Sequence, residues 1–395
     1  MPEENFFLQR PPAPKTSLGY HRALAKSASI HASPIALGGM NLGNNWAALG
    51  INGTTDQQAF ELLDAYFDNG GNFIDVANHY QSGHSETLLG QWSTSRQNRD
   101  QLIIATKYSQ ADHKAADPTV KQRVNYLGNS KKSMTLSIAE SLSRLQTTYV
   151  DIFYVHWWDY ETSIEEVMNS LHNLVTSGKV LYLGASNMPA WVVARANQYA
   201  IDHGKTPFSI YSGCWNVMER SFEADIIPMA REFDLALAPW EVLCGGRLRS
   251  DAEEERRRAT GETGRDTKGV GWERSEEERA VSAALQKVAD EVGASSLGAV
   301  AIAYLFHKYH RVFPVVGGRK IEHLRSNIEA IDIKLTPEHI AYIESVKPYS
   351  PGMPHVMLGD GTKNNVLVDI NAHVDRLPVR GIIEPRGLKK EEKTD

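Results

Sequence analysis

Four ionisable side chains fall where short apolar runs end. Asp75 follows NFI, Lys107 closes LIIATK, His156 follows DIFYV, and Tyr80 comes five positions after Asp75 in the stretch NFIDVANHY. Taken singly, each has an ordinary explanation: a capping carboxylate, a rim lysine, a core histidine, a surface tyrosine. Taken together they can do one piece of chemistry. A tyrosine hydroxyl titrates at about 10, too high for an efficient acid at neutral pH, and a neighbouring ammonium favours the phenolate and lowers that value. An aspartate beside the lysine holds the ammonium charged and in place, and a histidine opposite the tyrosine can donate a hydrogen bond to the same substrate oxygen. This is a proton relay to a carbonyl oxygen. The sequence has no metal-ligand spacing, since His79 and His84 flank Tyr80 without a carboxylate at ligand distance and His307 and His310 lie in a helix-like run. Nor does it pair a nucleophile with a base. The relay therefore calls for a hydride donor bound as a cofactor.

These residues converge only if the elements carrying them point the same way. Eight apolar runs bounded by turn residues read as strands: 33–39, 72–76, 102–107, 151–157, 180–186, 208–213, 235–240 and 311–317. Between them, segments 54–71, 133–146, 163–178, 189–204, 223–233, 278–293 and 321–331 carry apolar residues every three or four positions and read as amphipathic helices. Strands that are apolar throughout belong in a parallel sheet covered by helices, and eight such units in series close most simply into an α/β fold of the (β/α)8 TIM-barrel type. A doubly wound sheet competes, but GGMNLG at 38–43 is no GxGxxG and GVGWER at 269–274 follows no strand. In a barrel all strand C-termini share one mouth, so Asp75, Lys107 and His156 meet there with Tyr80 in the loop beyond.

Two segments stand outside the repeat. Residues 251–279 form a long charged loop after the seventh strand, and residues 336–395 form a C-terminal extension expected partly over the substrate pocket. The barrel is expected to occupy residues 1–335, with 1–30 as an N-terminal arm. Two cysteines, Cys214 and Cys244, are too few for a disulfide framework, and the acidic, then proline-rich start has no signal-peptide pattern, which together point to the cytoplasm. No run approaches the ~18 apolar residues of a membrane span. A net charge of -6 argues against a nucleic-acid partner. Composition leaves a monomer or a homo-oligomer equally open.

The pieces NFIDVANHY, LIIATKY, DIFYVHWWD, LYLGASNMPAW, CWNVMERSFEADIIPMARE, LALAPWEVLCGGR and FPVVGGRKIEHLRSNIEAI resemble the aldo-keto reductase superfamily, over roughly residues 35–335. Within it they resemble the fungal aryl-alcohol dehydrogenase and norsolorinic acid reductase group. The resemblance implies that Tyr80 is the general acid, Lys107 its pKa modifier, Asp75 the partner of the lysine, and His156 the residue that orients the carbonyl. It implies an NADP(H) cofactor held by Gly39, Met40, Asp75, Ser186, Asn187, Trp215, Trp240, Gly246, Arg247, Gly318, Arg319, Lys320, His323 and Asn327. Ser212 stands where the family has glutamine, and Trp215 where it usually has a tyrosine stacked on the nicotinamide. Arg319 and Lys320 favour NADPH, because a 2′-phosphate wants cationic partners. Trp46, Trp157 and His156 are the candidate substrate contacts, and no metal is implied. The expected function is reversible, NADPH-dependent reduction of an aryl or polyketide-like aldehyde or ketone. A redox-sensing NADP-binding regulatory subunit is the alternative.

Overall fold

The computed structural model describes residues 10–47, 51–264, 266 and 271–388. The first residues of the expected arm, part of the charged insertion and the last residues of the extension lie outside them.

The chain opens with an antiparallel hairpin, β1 (Arg22–Ala25) and β2 (Ala28–Ala32), which the sequence reading takes only as part of an arm. Eight parallel strands follow: β3 (Ala36–Gly38), β4 (Phe73–Asp75), β5 (Ile103–Tyr108), β6 (Val150–Val155), β7 (Val180–Ser186), β8 (Phe208–Cys214), β9 (Ala236–Trp240) and β10 (Val315–Val316). From β3 to β9 each pairs with the next, and β10 pairs back onto β3. The last gap is closed just below β10. Leu237 N donates to Arg311 O and Phe313 N to Leu237 O, both at 2.8 Å. The architecture is the (β/α)8 barrel that the alternation of runs predicts.

The expected helices are all present: α1 (Asp56–Asp68), α3 (Lys131–Arg144), α4 (Ile164–Thr176), α5 (Ala190–Asp202), α6 (Ile226–Glu232), α8 (Glu276–Val292) and α10 (Ile321–Glu329). Side-chain caps fix several starts. Thr55 and Ser275 form capping boxes with Gln58 and Glu278. Two further helices escape a periodicity reading. In α2 (His84–Arg96) Ser85, Glu86 and Ser93 are buried beside leucines, which blurs any stripe, while α9 (Leu297–Phe306) is buried on nearly every side. The charged insertion, expected as a loop, holds α7 (Asp251–Thr260), capped by Ser250 and laced by pairs such as Glu253–Arg257 and Glu254–Arg258.

Strand alternation sorts side chains between two cores. Phe73, Ile103, Ala105, Ile152, Tyr154, Ile210, Ala236, Ala238 and Phe313 fill the barrel, with Leu24, Ala25, Ala28 and Ala32 of the hairpin plugging its base. Ile74, Ile104, Phe153 and Leu237 face the surrounding helices. By this period of two, Asp75 projects inward above Phe73, Lys107 above Ala105, and His156 above Tyr154.

The extension begins with α11 (Pro337–Val346), packed on α8, then α12 (His355–Leu358) and α13 (Val366–Asp369). Near the rim Tyr349 stacks under Arg220. Beyond it, His355 faces Asp225, Asp360 pairs with Arg231, Arg380 with Asp234, and Arg386 lies over Tyr20. These contacts descend α6 from its N-terminus to the barrel's base. Residues 355–386 follow the flank of the barrel.

Candidate active site

β4 and the loop after it position the first two residues. Asp75 ends the strand, nearly fully buried, and Tyr80 begins a tight turn in which Gln81 (φ 50°) and Ser82 (φ 58°) both adopt left-handed backbone. That conformation is costly for residues with a Cβ and persists only where neighbours enforce it. Gln81 supplies the enforcement. Fully buried, it donates through Nε2 to Met40 O (2.9 Å), accepts from Trp46 N (2.9 Å), and its carbonyl accepts from Asn45 Nδ2 (3.0 Å). Asn78, also buried, donates to Gln110 O and Ser137 Oγ, while its carbonyl accepts from Arg144. Neither Gln81 nor Asn78 is legible as a site residue, because the role of each depends on a turn that only the folded chain shows.

Lys107, near the end of β5, is buried. Its ammonium donates to Asp75 Oδ1, to Val76 O at 2.8 Å, and is hydrogen-bonded to Tyr80. Burial by itself disfavours the charged lysine, but Asp75 and then Tyr80 outweigh it and hold its pKa above the ordinary value. Burial lifts the Asp75 carboxyl, with Lys107 opposing. His156 sits just past β6, its ring 6.1 Å from that of Tyr80 in an edge-on arrangement. The residue is only partly buried, but Nδ1 is enclosed and unpartnered. Burial, Lys107 and His79 push its pKa well below the usual range, so the imidazole is neutral. The structure thus brings together all four residues expected to meet.

Around them, Trp46 lies 6.3 Å from Tyr80 and 5.4 Å from His79, ring to ring, and His79 lies 5.3 Å from His156. His79 Nδ1 is 2.9 Å from Asp112 Oδ1, too poorly aligned for a good hydrogen bond. Trp157 is partly buried, with its indole N–H enclosed and unpartnered. The mouth is lined by aromatic rings with a charged, hydrogen-bonded centre.

Comparison with known proteins agrees with this geometry. The aldo/keto reductase family model matches residues 34–348. The chain belongs to the aldo/keto reductase family. An aryl-alcohol dehydrogenase, NADP(+), of Phanerodontia chrysosporium is 52% identical over 378 residues, covering 95% of this chain and 98% of the relative. The aldo-keto reductase ausK of Aspergillus calidoustus is 46% identical over 348 residues, 88% and 87% of the two chains. Norsolorinic acid reductase of Aspergillus flavus is 45% identical over 344 residues, 87% and 85%.

As an aldo/keto reductase the chain is an oxidoreductase with a nicotinamide cofactor, and its residues can be tested for fit. Ser186 ends β7 and Asn187 follows in left-handed backbone, its Nδ2 donating to His156 O and Ser186 Oγ at 3.1 Å. This ties two of the expected cofactor contacts to His156. Ser212 is buried on β8 and its carbonyl accepts from Asn187 N at 3.0 Å. Trp215 is fully buried, with one face stacked on Phe222 at 5.5 Å. Gly39 is buried so close to Val76 that a Cβ would lie 2.5 Å from it, and Met40 O receives Gln81. Trp240 ends β9, and at Gly246 (φ +86°) an added Cβ would meet nothing within 4 Å. Gly318, Arg319 and Lys320 lead into α10, whose first turn has no side-chain cap. Arg319, Lys320 and His323 are exposed there, with Asn327 buried one turn on. Uncapped N–H groups flanked by two cations are the donor set a phosphate wants, so these residues fit the group. Arg247 is already engaged. It donates to Gly271 O at 2.7 Å and to Glu278, clasping the insertion to α8.

Proposed function

We propose that this aldo/keto reductase reduces an aryl or polyketide-like aldehyde or ketone to its alcohol with NADPH, reversibly, and that Tyr80 delivers the proton. The single observation that carries the reading is the ammonium of Lys107, whose three donors are taken by Asp75, Val76 O and Tyr80 beneath an aromatic mouth. The nicotinamide, when bound, supplies the hydride. Tyr80 gives its proton to the carbonyl oxygen as negative charge develops there, and Lys107 stabilises the phenolate left behind. Asp75 keeps the ammonium charged and aimed. His156, neutral, donates a hydrogen bond to the same oxygen without competing as an acid. Run backwards, the phenolate of Tyr80 takes the proton of an alcohol.

Ser186 and Asn187 would hold the nicotinamide end, while Trp215, with no ring face exposed and one face on Phe222, would back that end rather than stack on the ring. The open N-terminus of α10 with Arg319 and Lys320 supports NADPH over NADH. Trp46, Trp157 and His156 would bracket the aryl group. The two free cysteines support a cytoplasmic setting.

The test is absorbance of the reduced cofactor on mixing the protein with NADPH and a panel of aryl aldehydes. Oxidation that saturates with aldehyde is expected. Tight NADPH binding without turnover on any member would overturn the enzyme reading in favour of a redox-sensing one.

A further inference from the structure

The tetrad rests on a residue that its chemistry does not name. Tyr154 lies two positions before His156 on β6, pointing into the barrel, and is paired in register with Lys107 on β5. The Lys107 Nζ sits 5.2 Å from the ring centroid of Tyr80 and 5.5 Å from that of Tyr154. The ammonium is therefore held between two aryl rings, one that reacts and one that does not. Both distances are within the range of cation–π attraction, which strengthens when the cation is desolvated, as here. The polar tip of Tyr154 is fully buried without a hydrogen-bond partner. An orphaned buried hydroxyl is a cost that a phenylalanine would avoid, so the ring rather than the hydroxyl is the useful part. The neighbouring strand is shaped around that ring. At Gly184 on β7 an added Cβ would lie 2.3–2.9 Å from three Tyr154 ring atoms.

We propose that Tyr154 is a positioning residue of the catalytic centre, whose ring face holds the ammonium of Lys107 at the height from which it acts on Tyr80. Burial, with the charge of Asp75 added, keeps the Tyr154 hydroxyl well above its ordinary pKa, so it stays neutral and takes no part in proton transfer. Without the ring the lysine has its acceptors but no floor. It can sink along its flexible stem toward the barrel interior, and its influence on the Tyr80 phenol falls with distance.

The inference rests on the reading of Tyr80 as the acid, and two measurements keep the two ideas apart. The first is steady-state kinetics with NADPH and benzaldehyde for Tyr154→Phe, Tyr154→Leu, and variants carrying progressively fluorinated phenylalanine at 154, which keep the shape while draining the ring face of electron density. Tyr154→Phe should keep kcat within about twofold, Tyr154→Leu should lose about tenfold in kcat with KM for NADPH unchanged, and kcat should fall stepwise with fluorination. The second needs no cofactor. The phenolate absorbance of Tyr80, taken as the difference from a Tyr80→Phe background, should titrate about one pH unit higher in Tyr154→Leu than in Tyr154→Phe. Should Tyr154→Leu fail to fold, the fluorinated series decides, since its members keep the packing. A flat response of kcat and titration to fluorination overturns the proposal, as does a loss in Tyr154→Phe equal to that in Tyr154→Leu. A wild-type protein that does not reduce benzaldehyde would count against the proposed function, while the titration would still decide the role of Tyr154.

Discussion

A single methyl group at position 184 would disturb the catalytic centre from beneath. In Gly184→Ala the new Cβ would press on the enclosed ring of Tyr154 at 2.3–2.9 Å, and overpacking of this kind costs about 1–3 kcal/mol. A lowered urea midpoint together with a reduced kcat is expected; loss of stability alone would show that the ring's position does not matter to turnover. His156 makes a prediction in pH. Its folded-state pKa is well below the unfolded value of about 6.5, so below that pH the unfolded chain takes up a proton that the folded chain refuses. Stability from this residue is complete above about pH 6.5 and declines as pH falls toward the folded value. Urea titrations across that window should show a shallower acid decline in His156→Gln than in the parent. At this scale the sequence makes Asp75, Lys107, His156 and Tyr80 visible because a charge ending an apolar run breaks a pattern. Tyr154 breaks none, since an aromatic within DIFYV reads as core, and Gln81 matters only through a left-handed turn.

At the scale of elements the insertion after β9 is the least expected feature. Glu254 and Arg274 each keep 1% of their side-chain surface exposed, and Glu254 also meets Arg249, Arg258 and Arg279. Burial alone would raise the Glu254 carboxyl, but Arg274 and then Arg279 reverse this and bring it to about 2. Arg256 above all, with Lys320 contributing, lowers Glu262, which sets the insertion beside the start of α10, where Arg319 and Lys320 would meet the 2′-phosphate. Removing one partner of a buried pair strands the other. In Glu254→Gln, limited proteolysis should cut residues 261–264 and 271–275 far faster while far-UV circular dichroism stays unchanged, and NADPH should bind more weakly. The parent should show the same cleavage as pH falls from about 4.5 toward 2, because a carboxylate with a lowered pKa stabilises above its unfolded value and stops doing so on protonation. The stretch reads as a loop because its helix is held by charge pairs and a Ser250 cap rather than by an apolar stripe. α9 is missed for the opposite reason, being apolar nearly all round.

For the whole molecule, the barrel follows from eight apolar runs spaced by helices, but its two ends do not. The hairpin that plugs the base is made of small residues, Ala25, Ala28 and Ala32, whose burial comes from strands far along the chain. The extension is short in regular structure and leaves apolar side chains such as Val356, Leu367, Ile370 and Leu377 exposed, and only long-range pairs show its path down α6. Arg231→Ala should free residues 355–386 to protease while shifting barrel stability by less than about 1 kcal/mol, as befits a partly exposed ion pair; a larger shift would make the extension part of the cooperative unit. The proposal at the centre of this barrel is that Tyr80, held at its mouth by Lys107, is the proton donor. That claim is tested most directly by Tyr80→Phe, with NADPH affinity followed by fluorescence quenching and hydride transfer to benzaldehyde followed by stopped-flow absorbance. Affinity within about twofold of the parent and a transfer rate lower by about a thousandfold are expected. Transfer at the parental rate in a variant that still binds NADPH would contradict the account.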